Sequence, residues 1–136
     1  MFNALQNPLA LIGRLLLALL FLPAGIGKIT GFAGTVGYIT SAGLPMPTAA
    51  AAIALTVEIA GGLALIAGFG TRIAALVLAL FTLVASFFFH NYWAVAPDQQ
   101  FVQQLLFFKN IAVVGGLLTL AAWGAGAWSL DARRKA

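Results

Sequence analysis

Cysteine is absent from this sequence. That excludes dithiol relays of the Cys-x-x-Cys kind, thiolate metal sites and disulfides. Acids are scarce as well. Glu58, Asp98 and Asp131 are the only three, and His90 is the single histidine. Such a set is too small and too scattered for a multi-ligand metal cage, so no metal site is expected. Charge of either sign makes up 7% of the 136 residues, where a soluble domain averages about 25%. The net charge of +4 is no nucleic-acid signal, because the basic residues lie along apolar runs or gather at the C-terminus.

What fills the chain is apolar. Hydrophobic residues account for 62% and the mean hydropathy is +1.05. The pattern predicts an all-α, polytopic membrane protein, one domain over residues 1–136. Its four transmembrane helices are expected over about 9–27, 48–69, 72–90 and 107–125. The first apolar stretch contains Arg14, exceeds a signal-peptide core in length and is followed by no Ala-x-Ala site, so an uncleaved span is expected. Pro23 should kink that span or end its regular part. Between spans one and two, Phe32, Val36 and Ile39 fall at i, i+4 and i+7, which predicts a short surface helix. Arg72, Arg133, Arg134 and Lys135 fall on one side of a four-span arrangement. That side should be cytoplasmic, with both termini on it.

Glu58 sits near the middle of the second apolar run. A carboxylate there costs roughly 2.5–3.5 kcal/mol on insertion scales. Ala51, Ala54, Gly61 and Gly62 surround it at helical spacing and mark an inward, closely packed face. At 1.5 Å rise per residue, Arg14 lies about 7 Å from the middle of span one and Lys28 about 14 Å on the other side. Arg14 is therefore the expected partner, in a buried Arg14–Glu58 ion pair. Lys28, His90 and Lys109 then gather at the outer level. Ala112, Gly116 and Trp123 share the Lys109 face, which is expected to be the close-packing side of span four.

Those three groups, with Tyr38, Tyr92 and Trp93, are the candidate ligand-binding residues. Phe87, Phe88, Phe89, Tyr92, Trp93, Phe107 and Phe108 are expected to wall the site. Aromatic walls with a few convergent donors suit a flat amphipathic ligand bearing electronegative oxygens. A quinone head, a lipid headgroup and a small oxyanion all fit. Lysines that only reach out to headgroups are the plainer alternative.

The chain resembles the DoxX family of small four-span membrane proteins. The resemblance rests on Gly13-Arg14, on Gly25-Ile26-Gly27-Lys28 and on Phe32-Ala33-Gly34-Thr35-Val36. It continues through Gly43-Leu44-Pro45, Glu58-Ile59-Ala60-Gly61-Gly62 and Gly68-Phe69-Gly70-Thr71-Arg72, then His90-Asn91-Tyr92-Trp93 and Phe108-Lys109-Asn110. It implies a bacterial inner-membrane bundle. Some relatives are subunits of thiosulfate:quinone oxidoreductase, and others associate with redox-defence enzymes. The expectation is a membrane subunit of a redox complex, holding a quinone or small anion and no covalently bound cofactor. It would sit in the lipid bilayer beside a soluble redox enzyme, and a homo-oligomer stays open. A non-catalytic scaffold and a carrier for protons or small anions are the alternatives. No catalytic residue stands out, and no nucleic acid is expected as a partner.

Overall fold

The computed structural model describes residues 2–135. Four helices in that stretch are long and apolar enough to cross a membrane. They are α1 (Phe2–Thr30), α3 (Pro47–Ala67), α4 (Thr71–Phe89) and α5 (Pro97–Trp123). A short α2 (Phe32–Ser41) links α1 to α3, and a 3-10 turn at Tyr92–Ala94 follows α4. The last element is α6 (Leu130–Lys135). The all-α, four-span architecture with a short helix after span one is the one the hydropathy pattern predicts.

Helices α1 and α5 depart from the expected bounds. Helix α1 starts at Phe2 rather than near residue 9 and continues through Pro23 to Thr30. A proline removes one N–H and crowds one preceding carbonyl, which packed neighbours inside a membrane bundle can accommodate. Helix α5 starts at Pro97 rather than near residue 107. Pro97 is pre-organised for a first helical position and Asp98 complements the positive end of the dipole. The glutamines that make this stretch look loop-like are carried as extra helical turns.

The helices pack as two close pairs, α1 with α3 and α4 with α5, joined chiefly where α3 meets α4. Their shared core is Ala18, Phe21, Leu65, Ala75, Leu78, Ala79 and Leu117. Small residues set the register of the first pair. A Cβ on Gly25 would meet Ile59 Cγ1 at 2.7 Å and Glu58 Cβ at 3.0 Å. One on Gly62 would meet Leu22 Cβ at 3.1 Å. The two antiparallel helices thus touch backbone to backbone around Gly25 and Gly62, which fixes Glu58 level with Gly25. On α3 the buried face is Ala51, Ala54, Glu58, Gly62 and Leu65, the small-residue face the spacing singles out.

Candidate functional site

That register decides the partner of Glu58. Arg14 lies eleven residues before Gly25, about 16 Å along the axis at 1.5 Å per residue. Lys28 is one turn beyond Gly25 on the same face. Its Nζ lies 2.8 Å from Glu58 Oε2 and donates to Oε1 at 3.1 Å. The expected Arg14–Glu58 pair is therefore replaced by Lys28–Glu58. Counting from the middle of the first apolar run misplaces both basic residues, because α1 is longer than that run and shifted along α3. Glu58 is 6% exposed, and its neutralising lysine is partly open to the cavity described below.

Arg14 serves the opposite end. It is 1% exposed. Its Nη1 donates to Leu65 O at 2.8 Å and to Ile66 O at 3.1 Å, and Nη2 donates to Trp128 O. It thereby satisfies carbonyls that the C-terminus of α3 leaves without intrahelical partners. Gly68 follows in a left-handed conformation (φ 67°), where a Cβ would strike Ser129 and the Arg14 guanidinium. The C-terminal segment closes over this turn. Asp131 Oδ1 accepts from Gly70 N at 2.7 Å and Oδ2 from Thr71 N at 2.9 Å, while Asp131 N donates to Gly68 O at 2.8 Å. Partial burial opposes ionisation of Asp131. The two backbone N–H groups and nearby Arg134 outweigh it and hold the carboxyl below the usual carboxylate range. The tail is thus docked, where its charge alone suggests a segment standing in water.

Above the Lys28–Glu58 pair lies a cavity of about 900 Å³ walled by α1, α2, α3 and α4, with two residues from α5. Leu20, Phe21, Ile53, Ala54, Phe81 and Phe88 supply apolar wall. The polar side chains on it are Lys28, Thr35, Tyr38, Glu58, Thr82, His90, Lys109 and Asn110. Thr82 and Ser86 are buried and donate to carbonyls four residues back, at 2.7 and 2.6 Å. Tyr38 of α2 stacks on Phe89 of α4 with ring centroids 5.0 Å apart. Their rings tie the short helix across the cavity. His90 Nδ1 lies 2.9 Å from Gln103 Oε1. This contact orients the imidazole, whose other ring nitrogen, Nε2, is left without a partner among the described residues.

Four of the six candidate residues, Lys28, Tyr38, His90 and Lys109, line this cavity. Tyr92 and Trp93 do not. With Phe87, Phe107 and Phe108 they form a separate knot of edge-to-face and tilted rings, 5.3–5.9 Å between centroids. The 3-10 turn folds their rings back onto α4 and α5, so of the expected aromatic wall Phe88 and Phe89 remain. The inward face of α5 is also not the Lys109 face. Phe107, Asn110 and Leu117 are buried, whereas Lys109, Ala112, Gly116 and Trp123 are exposed.

Asn110, which the spacing puts near the level of the three cations but which is not among the candidate ligand-binding residues, belongs to the site. It is 9% exposed, lines the cavity, and its side chain makes no hydrogen bond to other described residues. The residue faces the cavity, where its amide is free to meet a polar group. Its position beside Phe107 on an otherwise apolar face is the available signal. Since Lys28 is paired, Lys109 is the one cation on the cavity wall with no ion-pair partner among the described residues.

The fold and this arrangement define a four-span membrane bundle with a buried ion pair beneath a largely apolar cavity. The family model for DoxX matches residues 9–91. The inner membrane protein YphA of Escherichia coli (strain K12) is 39% identical over 132 residues, covering 97% of this chain and 94% of its own. The inner membrane protein YqjF of the same organism is 42% identical over 130 residues, covering 93% and 92%. A Surfeit locus protein 4 homolog of Schizosaccharomyces pombe is 34% identical over 70 residues, half of this chain and 23% of its own. No solved structure matches. The chain belongs to the DoxX family.

Proposed function

We propose that this protein lies in a bacterial inner membrane and holds a flat, lipid-soluble, carbonyl-bearing ligand of the quinone type, as the membrane subunit of a redox complex. The observation that carries the reading is the cavity. It is large enough for a ring system and apolar over most of its wall, and it has a few convergent polar groups at one level, as small-molecule sites do. Lys109 and Asn110 can donate to carbonyl oxygens, and the His90 ring can exchange a hydrogen bond with an oxygen of the ligand. The Lys28–Glu58 pair below presents a fixed dipole and no net charge. Among the described residues, Lys109 is then the one uncompensated lysine on a mostly apolar wall, which favours a neutral ring over a small oxyanion. Electrons would come from a partner enzyme, because the sequence carries no redox motif of its own.

The relatives' inner-membrane location supports the compartment. Arg72 at the start of α4 and Arg133, Arg134 and Lys135 of α6 lie at one end of the bundle. That end is therefore the cytoplasmic one, together with both termini.

The test is a short-chain quinone titrated into the purified protein. It should raise the melting temperature of the wild type. Asn110→Leu, which keeps the volume and removes the amide, should abolish that rise while leaving the unliganded bundle folded. No rise in the wild type, or an equal rise in Asn110→Leu, would remove the basis for the proposal.

A further inference from the structure

The end of the bundle remote from the main cavity holds a second concavity, about 640 Å³, between the start of α4, the end of α5 and the C-terminal segment. Arg72, Arg134 and Lys135 line it, together with Trp123. Arg133, next in sequence to Arg134, does not. We infer that this notch binds the phosphate of an anionic phospholipid headgroup, through Arg72, Arg134 and Lys135.

Three observations support this. The first is the charge balance. The one acid on the wall, Asp131, has both carboxylate oxygens on the backbone N–H groups of Gly70 and Thr71. None of the three cations forms an ion pair among the described residues. The notch is thus left with excess positive charge. The second is geometry. Arg134 lies over the Phe69 ring, 5.1 Å from guanidinium carbon to centroid. That contact holds the guanidinium beside the notch and takes up none of its N–H donors with a carboxylate, and such donors can meet phosphate oxygens two at a time. The third is depth. The notch sits where α4 begins and α5 ends. Trp123 at its edge is 83% exposed, and Trp128 and Leu130 are exposed beside it. Exposed tryptophans next to basic residues at helix ends mark the headgroup level of a bilayer. A lipid phosphate bound there places its acyl chains along Trp123 and the apolar flank of α5, which a free phosphate cannot do. A zwitterionic lipid would bring an ammonium group into a cationic notch.

The full chain in neutral maltoside micelles is titrated with phosphatidylglycerol, phosphatidylethanolamine or inorganic phosphate. Melting temperature and lipid retention in native mass spectrometry are the readouts. Phosphatidylglycerol should be retained and should stabilise. Arg72→Gln and Arg134→Gln should each weaken its binding about fivefold, whereas Arg133→Gln should change it by less than about twofold. Arg72→Lys keeps the charge and should bind nearly as the wild type, which separates lost binding from lost folding. An equal loss in Arg133→Gln and Arg134→Gln would overturn the site in favour of diffuse surface charge. Equal retention of phosphatidylethanolamine, or the same stabilisation by inorganic phosphate alone, would overturn the assignment to an anionic lipid.

Discussion

At one end of the bundle the charged groups inside the fold are tied to backbone; at the other they are tied to each other beside a cavity. Arg14 holds the last carbonyls of α3 and the carbonyl of Trp128. Asp131 holds the first N–H groups of α4. These contacts join a turn to a segment some sixty residues away and leave little there to rearrange. Lys28 and Glu58 instead satisfy one another, with Asn110 unbonded in the cavity beside them. Backbone-directed charges fix a shape, because their partners cannot move without unfolding a helix. Side-chain pairs facing a cavity can exchange a partner for a ligand. Rigidity thus belongs to the Arg14 end, and side chains free to exchange partners belong to the Glu58 end.

The sharpest way to break that division is a pair of double-mutant cycles. Arg14→Leu should destabilise more than any other single substitution in these cycles, by about 3 kcal/mol, because a charged donor and buried carbonyls lose each other together. Lys28→Met should cost about 2 kcal/mol, less than a fully enclosed pair loses, since this one faces a cavity and a stranded carboxylate can take up a proton. Adding Glu58→Met to Lys28→Met should recover most of the loss, a coupling of about 1 kcal/mol or more. Adding Glu58→Met to Arg14→Leu should be additive within about 0.5 kcal/mol. Reversible unfolding in mixed micelles measures all of these. Coupling of Glu58 to Arg14 and not to Lys28 would place the register, and with it the cavity floor, wrongly.

A smaller effect sharpens the rigid end. Asp131→Ala removes the acceptor at the start of α4 and should cost about 1 kcal/mol, as lost helix caps do. The folded protein holds this carboxyl below its ordinary range. Its contribution is therefore present above the unfolded-state value and is lost as pH falls through the folded one. The gap in melting temperature between wild type and Asp131→Ala should be constant from neutral pH down to about pH 4 and should close below it. A gap that persists at pH 2 would mean that the tail is held by something other than this carboxylate.

Much of the fold is legible in the sequence, and what is not shares one cause: it depends on contacts between distant segments. Hydropathy alone places four spans, and the alanines and glycines around Glu58 show which face turns inward. The partner of Glu58 depends on how far α1 slides along α3. Close approach at Gly25 and Gly62 decides that, and a count from the middle of each apolar run misses it by several residues. The start of α5 is hidden because its first turns are rich in glutamine, which marks neither loop nor span until the helix packs. The cap by Asp131 is out of reach altogether, since nothing local distinguishes a tail carboxylate in water from one docked on a distant turn. Asn110 is visible as a polar residue on an apolar helix, but its neighbour Lys109 carries the charge and is the more conspicuous candidate.

The smallest expected effect tests whether the cavity end can move. Helix α2 roofs the cavity. Its only buried residue is Ile39, and its contacts with α1 are sparse. The stack of Tyr38 on Phe89 joins it to α4. An aromatic pair of this kind is worth about 0.5–1.5 kcal/mol beyond its buried area, and this one is half exposed, so Tyr38→Ala should lower global stability by no more than about 1 kcal/mol. Its effect should instead be local, since sub-global opening draws on the least-packed elements. Hydrogen exchange should quicken in Phe32–Ser41 while the amides of Gly70 and Thr71, held by Asp131, exchange as before. Equal acceleration at both ends would show one cooperative unit, and the division into a fixed end and a yielding end would fail. Acceleration confined to α2 would mark that helix as the part of the cavity wall that opens most easily.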